Sequence, residues 1–197
     1  NVWGYDDDSL ASRVAQLLVQ QNKTLALAES CTGGLVSKMI TDLPGSSRYY
    51  WGGANTYSNT AKQLFLQVKG ETLNNFGAVS RETAAEMAQG ILRAANVDYG
   101  LAITGIAGPD GGTANKPVGL VYIALADKDS CQVKELRFSG GREIRGQAGG
   151  GAGGTHHDGG RLTESPGRGD QLGGDLLEGT VRMLDEHKYF SHCCSAS

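Results

Sequence analysis

The chain alternates between short apolar runs and segments in which apolar residues recur every three or four positions. Short apolar runs bounded by glycine or polar residues are typical of buried strands, and the longer spacing is typical of amphipathic helices. Strands are therefore predicted at 24–28, 48–57, 99–104, 118–126 and 132–138. Helices are predicted at 9–22, 32–41, 58–65, 71–75 and 80–95. This order predicts an α/β fold with three layers, α/β/α, around a mixed, mainly parallel sheet that ends in a β-hairpin.

The C-terminal part of the chain differs in composition from the rest. Thirteen of the thirty glycines lie between 146 and 179, and residues 146–175 contain almost no large apolar side chain. Such a segment buries too little surface to offset the entropy of ordering it. We therefore divide the chain into a domain at 1–145, a glycine-rich flexible linker at 146–175 and a C-terminal tail at 176–197. Helical spacing in that tail predicts one short helix, carried by Leu176, Leu177, Val181 and Leu184, which could extend to Tyr189.

Charge and cysteine content narrow the possible functions. The formal net charge of −3 gives no basic face for nucleic acid and no polybasic membrane anchor. No apolar stretch is long enough to span a membrane. Cys31, Cys131, Cys193 and Cys194 lack the spacing of a disulfide framework or a structural zinc site. We therefore expect a cytoplasmic protein that binds neither nucleic acid nor membrane and holds no metal.

The candidate chemistry lies at 28–34, between a predicted strand and a predicted helix. This turn places Ser30 and Cys31 at a helix N-terminus, where backbone N–H groups can bind an anion or an oxyanion. A serine nucleophile needs a base, and no histidine occurs in the first 155 residues, which argues against a Ser-His-Asp triad. Lys62 is the remaining candidate, because burial without a carboxylate partner lowers the pKa of a lysine. Tyr57 could assist this pair.

Each of these residues also has a purely structural interpretation. Lys62 could be an ordinary exposed helix lysine. Cys31 could be a reactive thiol or a small core residue, and without a histidine partner Ser30 is the preferred nucleophile. Glu29 could orient Lys62 or a substrate amide, or it could be a solvated turn carboxylate.

Two further segments could bind a ligand. The glycine-rich loop at 105–113 matches neither a P-loop nor a Rossmann fingerprint. Its backbone N–H groups could approach a phosphate or a sugar, or it could be a plain turn-rich loop. Arg142 and Arg145 could hold a phosphate through paired hydrogen bonds, or they could be surface arginines at a helix start.

Together these motifs resemble the C-terminal domain of the CinA (competence/damage-inducible) family, the nicotinamide mononucleotide deamidases. The resemblance covers about residues 5–145. It is carried by A-E-S-C-T-G-G at 28–34, P-G-S-S at 44–47, Y-S-N-T-A-K at 57–62, G-A-V-S at 77–80, I-T-G-I-A-G-P-D-G-G-T at 103–113, K-P-V-G-L-V-Y-I-A at 116–124 and F-S-G-G-R at 138–142. The opening V-W-G-Y at 2–5 is similar to the junction that precedes this domain in two-domain members, so we expect an N-terminal domain before residue 1.

The resemblance implies an amidohydrolase that converts nicotinamide mononucleotide to nicotinic acid mononucleotide and ammonia, a step of the pyridine nucleotide cycle in NAD metabolism. It implies Ser30 as nucleophile, Lys62 as base, Tyr57 as an aid to proton transfer, and no cofactor, because an acyl-enzyme route needs none. N–H groups at 31–33 would form the oxyanion hole, and Arg142 or Arg145 would face the phosphate. The expected substrate-binding residues are Glu29, Cys31, Thr32, Gly33, Gly34, Asn59, Thr104, Gly105, Gly108, Arg142 and Arg145.

The chain departs from the family after residue 145. Family members continue into an apolar, alanine-rich helix that packs on the sheet, whereas this chain continues G-Q-A-G-G-G at 146–151, which cannot form that helix. Residues 176–189 could substitute, or a partner subunit could cover the gap, and we expect a homo-oligomer. The departure leaves a second function open, a non-catalytic nucleotide-binding or protein-interaction domain.

Overall fold

A five-stranded sheet forms the centre of the fold in the computed structural model, which describes residues 10–138 and 170–186. Its strands are β1 (Leu25–Glu29), β2 (Tyr50–Asn55), β3 (Tyr99–Gly105), β4 (Leu120–Ala126) and β5 (Cys131–Arg137). They lie in the order β2-β1-β3-β4-β5. β1 pairs in parallel with β2 and β3, whereas β4 runs antiparallel to β3 and β5. The prediction of a mixed sheet that ends in a hairpin is confirmed.

Helices cover both faces of this sheet. The described helices are α1 (Leu10–Gln20), α2 (Leu35–Thr41), α3 (Asn59–Leu66), α4 (Gly70–Phe76), α5 (Arg81–Ala95) and α6 (Asp170–Glu186). One face packs against α1, α2 and α6, and the other lies under α3, α4 and α5. The three-layer α/β/α arrangement is therefore confirmed. None of the described helices is long and apolar enough to cross a membrane.

The alternation of leucine and alanine along β1 separates the two cores. Leu27 belongs to the core under α1, α2 and α6, whereas Ala28 belongs to the core under α5. Because alanine is small, α5 can lie close to the sheet. A Cβ added at Gly100 of β3 would overlap the carbonyl oxygen of Ala88 in α5, so this approach requires glycine.

A second close approach fixes α3 against α5. A Cβ at Gly90 of α5 would overlap the carbonyl oxygen of Leu66, the last residue of α3. Since Lys62 lies one turn earlier in α3, this contact helps to set how far Lys62 stands from the sheet.

Side-chain caps define the starts of two helices on this side. Ser58 Oγ accepts a hydrogen bond from the Ala61 N–H before α3, at 3.1 Å. Ser80 Oγ accepts one from the Thr83 N–H before α5, also at 3.1 Å. Ser80 is the predicted start of its helix, and Ser58 is one of two predicted starts, beside Asn59, of the other. Such caps stabilise a helix by about 1 kcal/mol. Ser9, the first residue of the helix predicted at 9–22, lies outside the described residues.

The C-terminal helix is longer than the sequence pattern predicts. α6 begins at Asp170, so the prediction that the linker extends to 175 is wrong for its last six positions. Leu172 is the reason, because it lies one turn before Leu176 and is buried in the same core. This burial outweighs the low helix propensity of Gly173 and Gly174. Residues 146–169 and Tyr189 lie outside the described residues.

Candidate active site

Three strand ends meet at the carboxyl edge of the sheet, where open α/β sheets bind their ligands. β1 leads into Ser30, whose N–H donates to the Ile103 carbonyl of β3 at 3.1 Å. β2 leads into Thr56, whose N–H donates to the Glu29 carbonyl of β1 at 2.8 Å. Thr104 occupies the matching position on β3, so Thr56, Ser30 and Thr104 form a row across three neighbouring strands. The sheet ladder therefore places Ser30 between Thr56 and Thr104.

Lys62 lies directly over Ser30. Its side chain is 0% exposed, so the interpretation as an ordinary exposed lysine is wrong. The Nζ atom lies 2.9 Å from Ser30 Oγ. It also donates to the carbonyl oxygens of Thr56, at 2.7 Å, and Tyr57, at 3.1 Å.

The surroundings of Lys62 favour a neutral amine. None of the ion pairs among the described residues involves Lys62. Burial lowers the pKa of Lys62 from its ordinary 10.5, and a negative charge on Cys31 would raise it by a smaller amount. A neutral amine has two N–H bonds and one lone pair. The two carbonyl oxygens can take the N–H bonds, which leaves the lone pair for the Ser30 hydroxyl.

Cys31 lies next to Ser30 but is poorly suited to attack. It is 8% exposed and belongs to the core under α1, α2 and α6, as its interpretation as a small core residue requires. Burial raises the pKa of the Cys31 thiol to about 12. Because the thiolate is the reactive form, this shift suppresses its reactivity. The geometry favours Ser30 as the nucleophile.

Glu29 holds α2 and does not contact Lys62. Its carboxylate accepts hydrogen bonds from the N–H groups of Gly34 (3.2 Å), Val36 (3.1 Å) and Ser37 (2.8 Å), and from Ser37 Oγ (2.6 Å). Glu29 is 1% exposed, so its interpretation as a solvated turn carboxylate is also wrong. The predicted role of orienting Lys62 or a substrate amide is corrected accordingly. Glu29 anchors the first turn of α2 and thereby the turn that carries Ser30.

The turn at 31–34 differs from the predicted continuous helix, because α2 begins at Leu35. Gly33 and Gly34 have φ values of 62° and 101°, a left-handed conformation that favours glycine. The Gly33 N–H donates to the Ser30 carbonyl at 3.1 Å, and the Gly34 N–H is taken by Glu29. Neither of these two N–H groups is available to an oxyanion in this state, so Gly33 is removed from the predicted oxyanion hole at 31–33.

Tyr57 contributes its backbone and not its phenol. The side chain is 76% exposed, and its hydroxyl makes no hydrogen bond to Ser30 or Lys62 among the described contacts. The carbonyl oxygen of Tyr57 accepts from Lys62, so the predicted aid to proton transfer is corrected to a role in positioning. Asn59 begins α3 and is exposed near the same edge.

The loop after β3 is tied to the start of α5. Thr104 Oγ1 donates to the Ala78 carbonyl at 2.8 Å. Lys116 Nζ donates to the carbonyls of Phe76, at 2.5 Å, and Val79, at 2.7 Å. These contacts fix the 76–80 segment against the sheet edge. Thr104 is therefore placed beside Ser30, with its hydroxyl already bonded to protein.

The glycines of this loop serve different purposes. A Cβ at Gly105 would lie 2.7 Å from the Leu120 carbonyl oxygen, so Gly105 permits close strand packing. Gly108 has a φ of 84°, and the peptide bond between Gly108 and Pro109 is cis. Neither observation identifies a bound phosphate or sugar.

The predicted phosphate-binding residues Arg142 and Arg145 lie outside the described residues. The last described residue before them is Phe138, whose N–H donates to the Gly119 carbonyl at 2.9 Å. The Gly119 N–H donates in turn to the Ile106 carbonyl at 2.8 Å. The chain therefore leaves β5 at the same edge of the sheet that carries Ser30.

A cavity among the described residues lies away from this site. It has a volume of about 320 Å³ and is lined by residues of α1 and of the segment before β2, including Arg48 and Tyr49. Neither Ser30 nor Lys62 lines it. The residues of the described ranges contain no group of three or more His, Cys, Asp and Glu able to hold a metal ion. The histidines of the tail (His156, His157, His187 and His192) lie outside those ranges.

Thr56 and Lys116 belong to this edge of the sheet but are absent from the predicted site residues. Both stand inside or next to the quoted motifs, Thr56 directly before Y-S-N-T-A-K and Lys116 at the start of K-P-V-G. The position of Thr56 near the end of the strand predicted at 48–57 could have identified it, because Ser30 follows a predicted strand and Thr104 ends one. Lys116 has no comparable signal in the sequence.

Comparison with known proteins identifies the family of this chain. The family model described as the CinA C-terminal domain matches residues 7–152. A CinA-like protein of Syntrophomonas wolfei is 61% identical over 143 residues, which are 73% of this chain and 34% of that protein. A CinA-like protein of Syntrophotalea carbinolica is 56% identical over 142 residues, 72% of this chain and 34% of that protein. The chain therefore spans about a third of the length of the curated relatives it matches.

Solved structures of similar sequence share the fold. The competence/damage inducible protein CihA of Agrobacterium tumefaciens is 41% identical, with a TM-score of 0.65 over 71% of this chain and 85% of that one. The competence damage-inducible protein A (ComA) of Klebsiella pneumoniae is 28% identical, with a TM-score of 0.66 over 90% of this chain and 93% of that one.

Proposed function

The chain belongs to the CinA C-terminal domain family, and we propose that it is an amidohydrolase that converts nicotinamide mononucleotide to nicotinic acid mononucleotide and ammonia. The observation that supports this most strongly is the contact of 2.9 Å between Lys62 Nζ and Ser30 Oγ in a buried site. No carboxylate within the described ranges pairs with this lysine. A lysine in these surroundings can act as a general base toward serine.

Acylation starts with attack of Ser30 Oγ on the amide carbon while the hydroxyl proton passes to Lys62 Nζ. The N–H groups of Cys31 and Thr32 are the candidates to stabilise the oxyanion that forms. Lys62 then returns the proton to the amide nitrogen as the C–N bond breaks. Ammonia leaves, and the acyl group stays on Ser30 as an ester.

Deacylation repeats these steps with water as the nucleophile. Water attacks the acyl carbon and gives a proton to Lys62, which passes it to Ser30 Oγ as the ester bond breaks. The product is released as a carboxylic acid that loses its proton to the solvent, and both residues return to their starting protonation states. The carbonyls of Thr56 and Tyr57 hold the Lys62 nitrogen in place through both halves of the reaction.

The nucleotide part of the substrate requires a group for its phosphate. Arg142 and Arg145 are the candidates, since the chain leaves β5 at the edge that carries Ser30 and a guanidinium binds phosphate through paired hydrogen bonds. We expect a homo-oligomer and a cytoplasmic location, as the family resemblance and the composition suggest.

A turnover assay tests this proposal. Ammonia released from nicotinamide mononucleotide is measured for the chain, for Ser30→Ala, for Lys62→Met and for Cys31→Ala. We expect the first two variants to lose activity by at least about a thousandfold and Cys31→Ala to keep it. Tight binding of the nucleotide without turnover would instead favour a non-catalytic binding domain. Loss of activity in Cys31→Ala alone would show that Ser30 is not the nucleophile.

A further inference from the structure

Thr56 has a buried hydroxyl that no group of the described residues satisfies. The residue is 0% exposed, and Thr56 Oγ1 has no hydrogen-bond partner among the described residues. Buried hydroxyls are nearly always hydrogen-bonded, because an unpaired one loses its water without compensation. An unpaired hydroxyl in a native structure therefore calls for a specific explanation.

The register of the sheet places Thr56 beside the reacting groups. Ala28 and Ala54 are partners in the β1–β2 ladder and both belong to the core under α5. Two residues further along each strand come Ser30 and Thr56, and the ladder continues through the hydrogen bond from the Thr56 N–H to Glu29. Side chains two residues apart share a face, and neighbouring strands are about 4.8 Å apart. Ser30 and Thr56 therefore stand side by side under Lys62.

The three hydroxyls of this row differ in how they are satisfied. Ser30 Oγ is bonded to Lys62 Nζ, and Thr104 Oγ1 donates to the Ala78 carbonyl. Thr56 binds Lys62 only through its backbone carbonyl, at 2.7 Å, which leaves its side chain unused next to the general base. Among these three hydroxyls, Thr56 Oγ1 is the one without a partner among the described residues, and it belongs to a residue whose carbonyl binds the general base.

We propose that Thr56 Oγ1 is a further substrate-binding group of this site, accepting a hydrogen bond from the nitrogen of the scissile amide. The inference rests on the proposed amidase function. In the neutral state both N–H bonds of Lys62 point to carbonyls, so Lys62 cannot hold the amide nitrogen before it has taken the Ser30 proton. Thr56 holds that nitrogen beside Nζ, and the proton then moves from Ser30 to Lys62 and on to the nitrogen. Thr56 itself neither gains nor loses a proton.

This role predicts selectivity between an amide and an ester. An ester has no N–H to donate at the leaving atom, so only the amide depends on Thr56. Thr56→Val keeps the shape of the side chain and removes its hydroxyl. We expect it to lower kcat/KM for nicotinamide mononucleotide by about tenfold to a hundredfold, the range for one unpaired hydrogen-bonding group. The same variant should hydrolyse the methyl ester of nicotinic acid mononucleotide at nearly the wild-type rate.

The control variants separate this role from a structural one. Thr56→Ser keeps the hydroxyl and should retain the amide activity, whereas Thr56→Ala should repeat the selective loss even if the valine variant does not fold. Tyr49→Phe removes another buried hydroxyl without a partner, far from Ser30, and should leave both activities unchanged. The thermal midpoint of Thr56→Val should equal or exceed that of the wild type.

Two outcomes would overturn the inference. Wild-type amide activity in Thr56→Val and Thr56→Ala would mean that the hydroxyl does not meet the substrate. An equal loss of kcat/KM on the amide and on the ester would mean that Thr56 maintains the structure of the site and does not bind the amide nitrogen. If the wild-type chain hydrolyses neither substrate, the proposed amidase function itself is refuted. This result differs from those that refute only the role of Thr56.

Discussion

Replacement of Glu29 by glutamine tests how the turn that carries Ser30 is held. The buried carboxylate accepts four hydrogen bonds from α2 and the residue before it. Two come from Ser37, at 2.6 and 2.8 Å, and two from the N–H groups of Val36 and Gly34, at 3.1 and 3.2 Å. Glutamine has one oxygen and one NH₂ group. If its oxygen keeps the bonds to Ser37, its NH₂ group faces two N–H donors.

The expected loss follows from those two bonds. A hydrogen bond to a charged group contributes about 1.5–3 kcal/mol. Because the two lost bonds are the longer pair, we take the lower value for each and expect Glu29→Gln to lower the free energy of unfolding by about 3 kcal/mol. In a chain of this size that corresponds to a drop of roughly 6–12 °C in the thermal midpoint.

Urea unfolding followed by circular dichroism measures this change. Glu82→Gln is the matched control, since Glu82 lies in the first turn of α5 and is exposed. An exposed carboxylate at that position interacts only with the helix dipole, so its loss should cost under about 1 kcal/mol. The reasoning is refuted if Glu29→Gln and Glu82→Gln are equally stable.

Three further predictions follow from the site and its packing. Tyr57→Phe should keep kcat within about threefold of the wild type, because the phenol is exposed. A thousandfold loss of kcat in the ammonia assay would show that the phenol takes part in proton transfer. Iodoacetamide should alkylate Cys31 far more slowly than a free thiol, since burial raises its pKa to about 12; rapid labelling in a mass-spectrometric time course would contradict this. Gly90→Ala should lower the free energy of unfolding by about 1–3 kcal/mol, because the new methyl group overlaps Leu66. Gly174→Ala in α6, where a Cβ meets nothing within 4 Å, should instead raise the free energy of unfolding by about 0.5–1 kcal/mol. If urea unfolding shows both variants stabilised or both destabilised, this prediction is refuted.

Local patterns in the sequence predict most of the fold. The spacing of apolar residues locates the strands and most of the helices, and Ser58 and Ser80 mark two helix starts through their side-chain caps. The start of α6 is missed, because Gly173 and Gly174 disfavour a helix locally and only the burial of Leu172 against the core reverses that preference. Tertiary contacts of this kind cannot be seen in a local window.

The candidate site is predictable in its residue types but not in all its contacts. The absence of a nearby histidine leads to Lys62 as partner for Ser30, and the structure brings the two within 2.9 Å. The roles of Glu29 and Tyr57 depend on side-chain direction, which sequence spacing does not give. Glu29 turns toward α2, and the Tyr57 side chain turns to solvent. Thr56 requires the register of β1 and β2, which is a property of the folded sheet.

The charge on Lys62 decides whether it can act as a base. Because burial lowers its pKa from 10.5, the folded chain releases this proton at a lower pH than the unfolded chain does. Between the two pKa values the unfolded state binds more protons, so this residue makes the fold more stable as the pH rises through that window. Over the same window kcat/KM should rise with pH and then level off.

A nuclear magnetic resonance titration of Lys62 Nζ, assigned by its disappearance in Lys62→Met, tests the central claim most directly. We predict that Lys62 loses its proton below pH 10.5 and that this midpoint coincides with the rising limb of kcat/KM. A midpoint at or above 10.5, or a rate that rises at a pH where Lys62 stays protonated, would contradict the assignment of Lys62 as the base for Ser30.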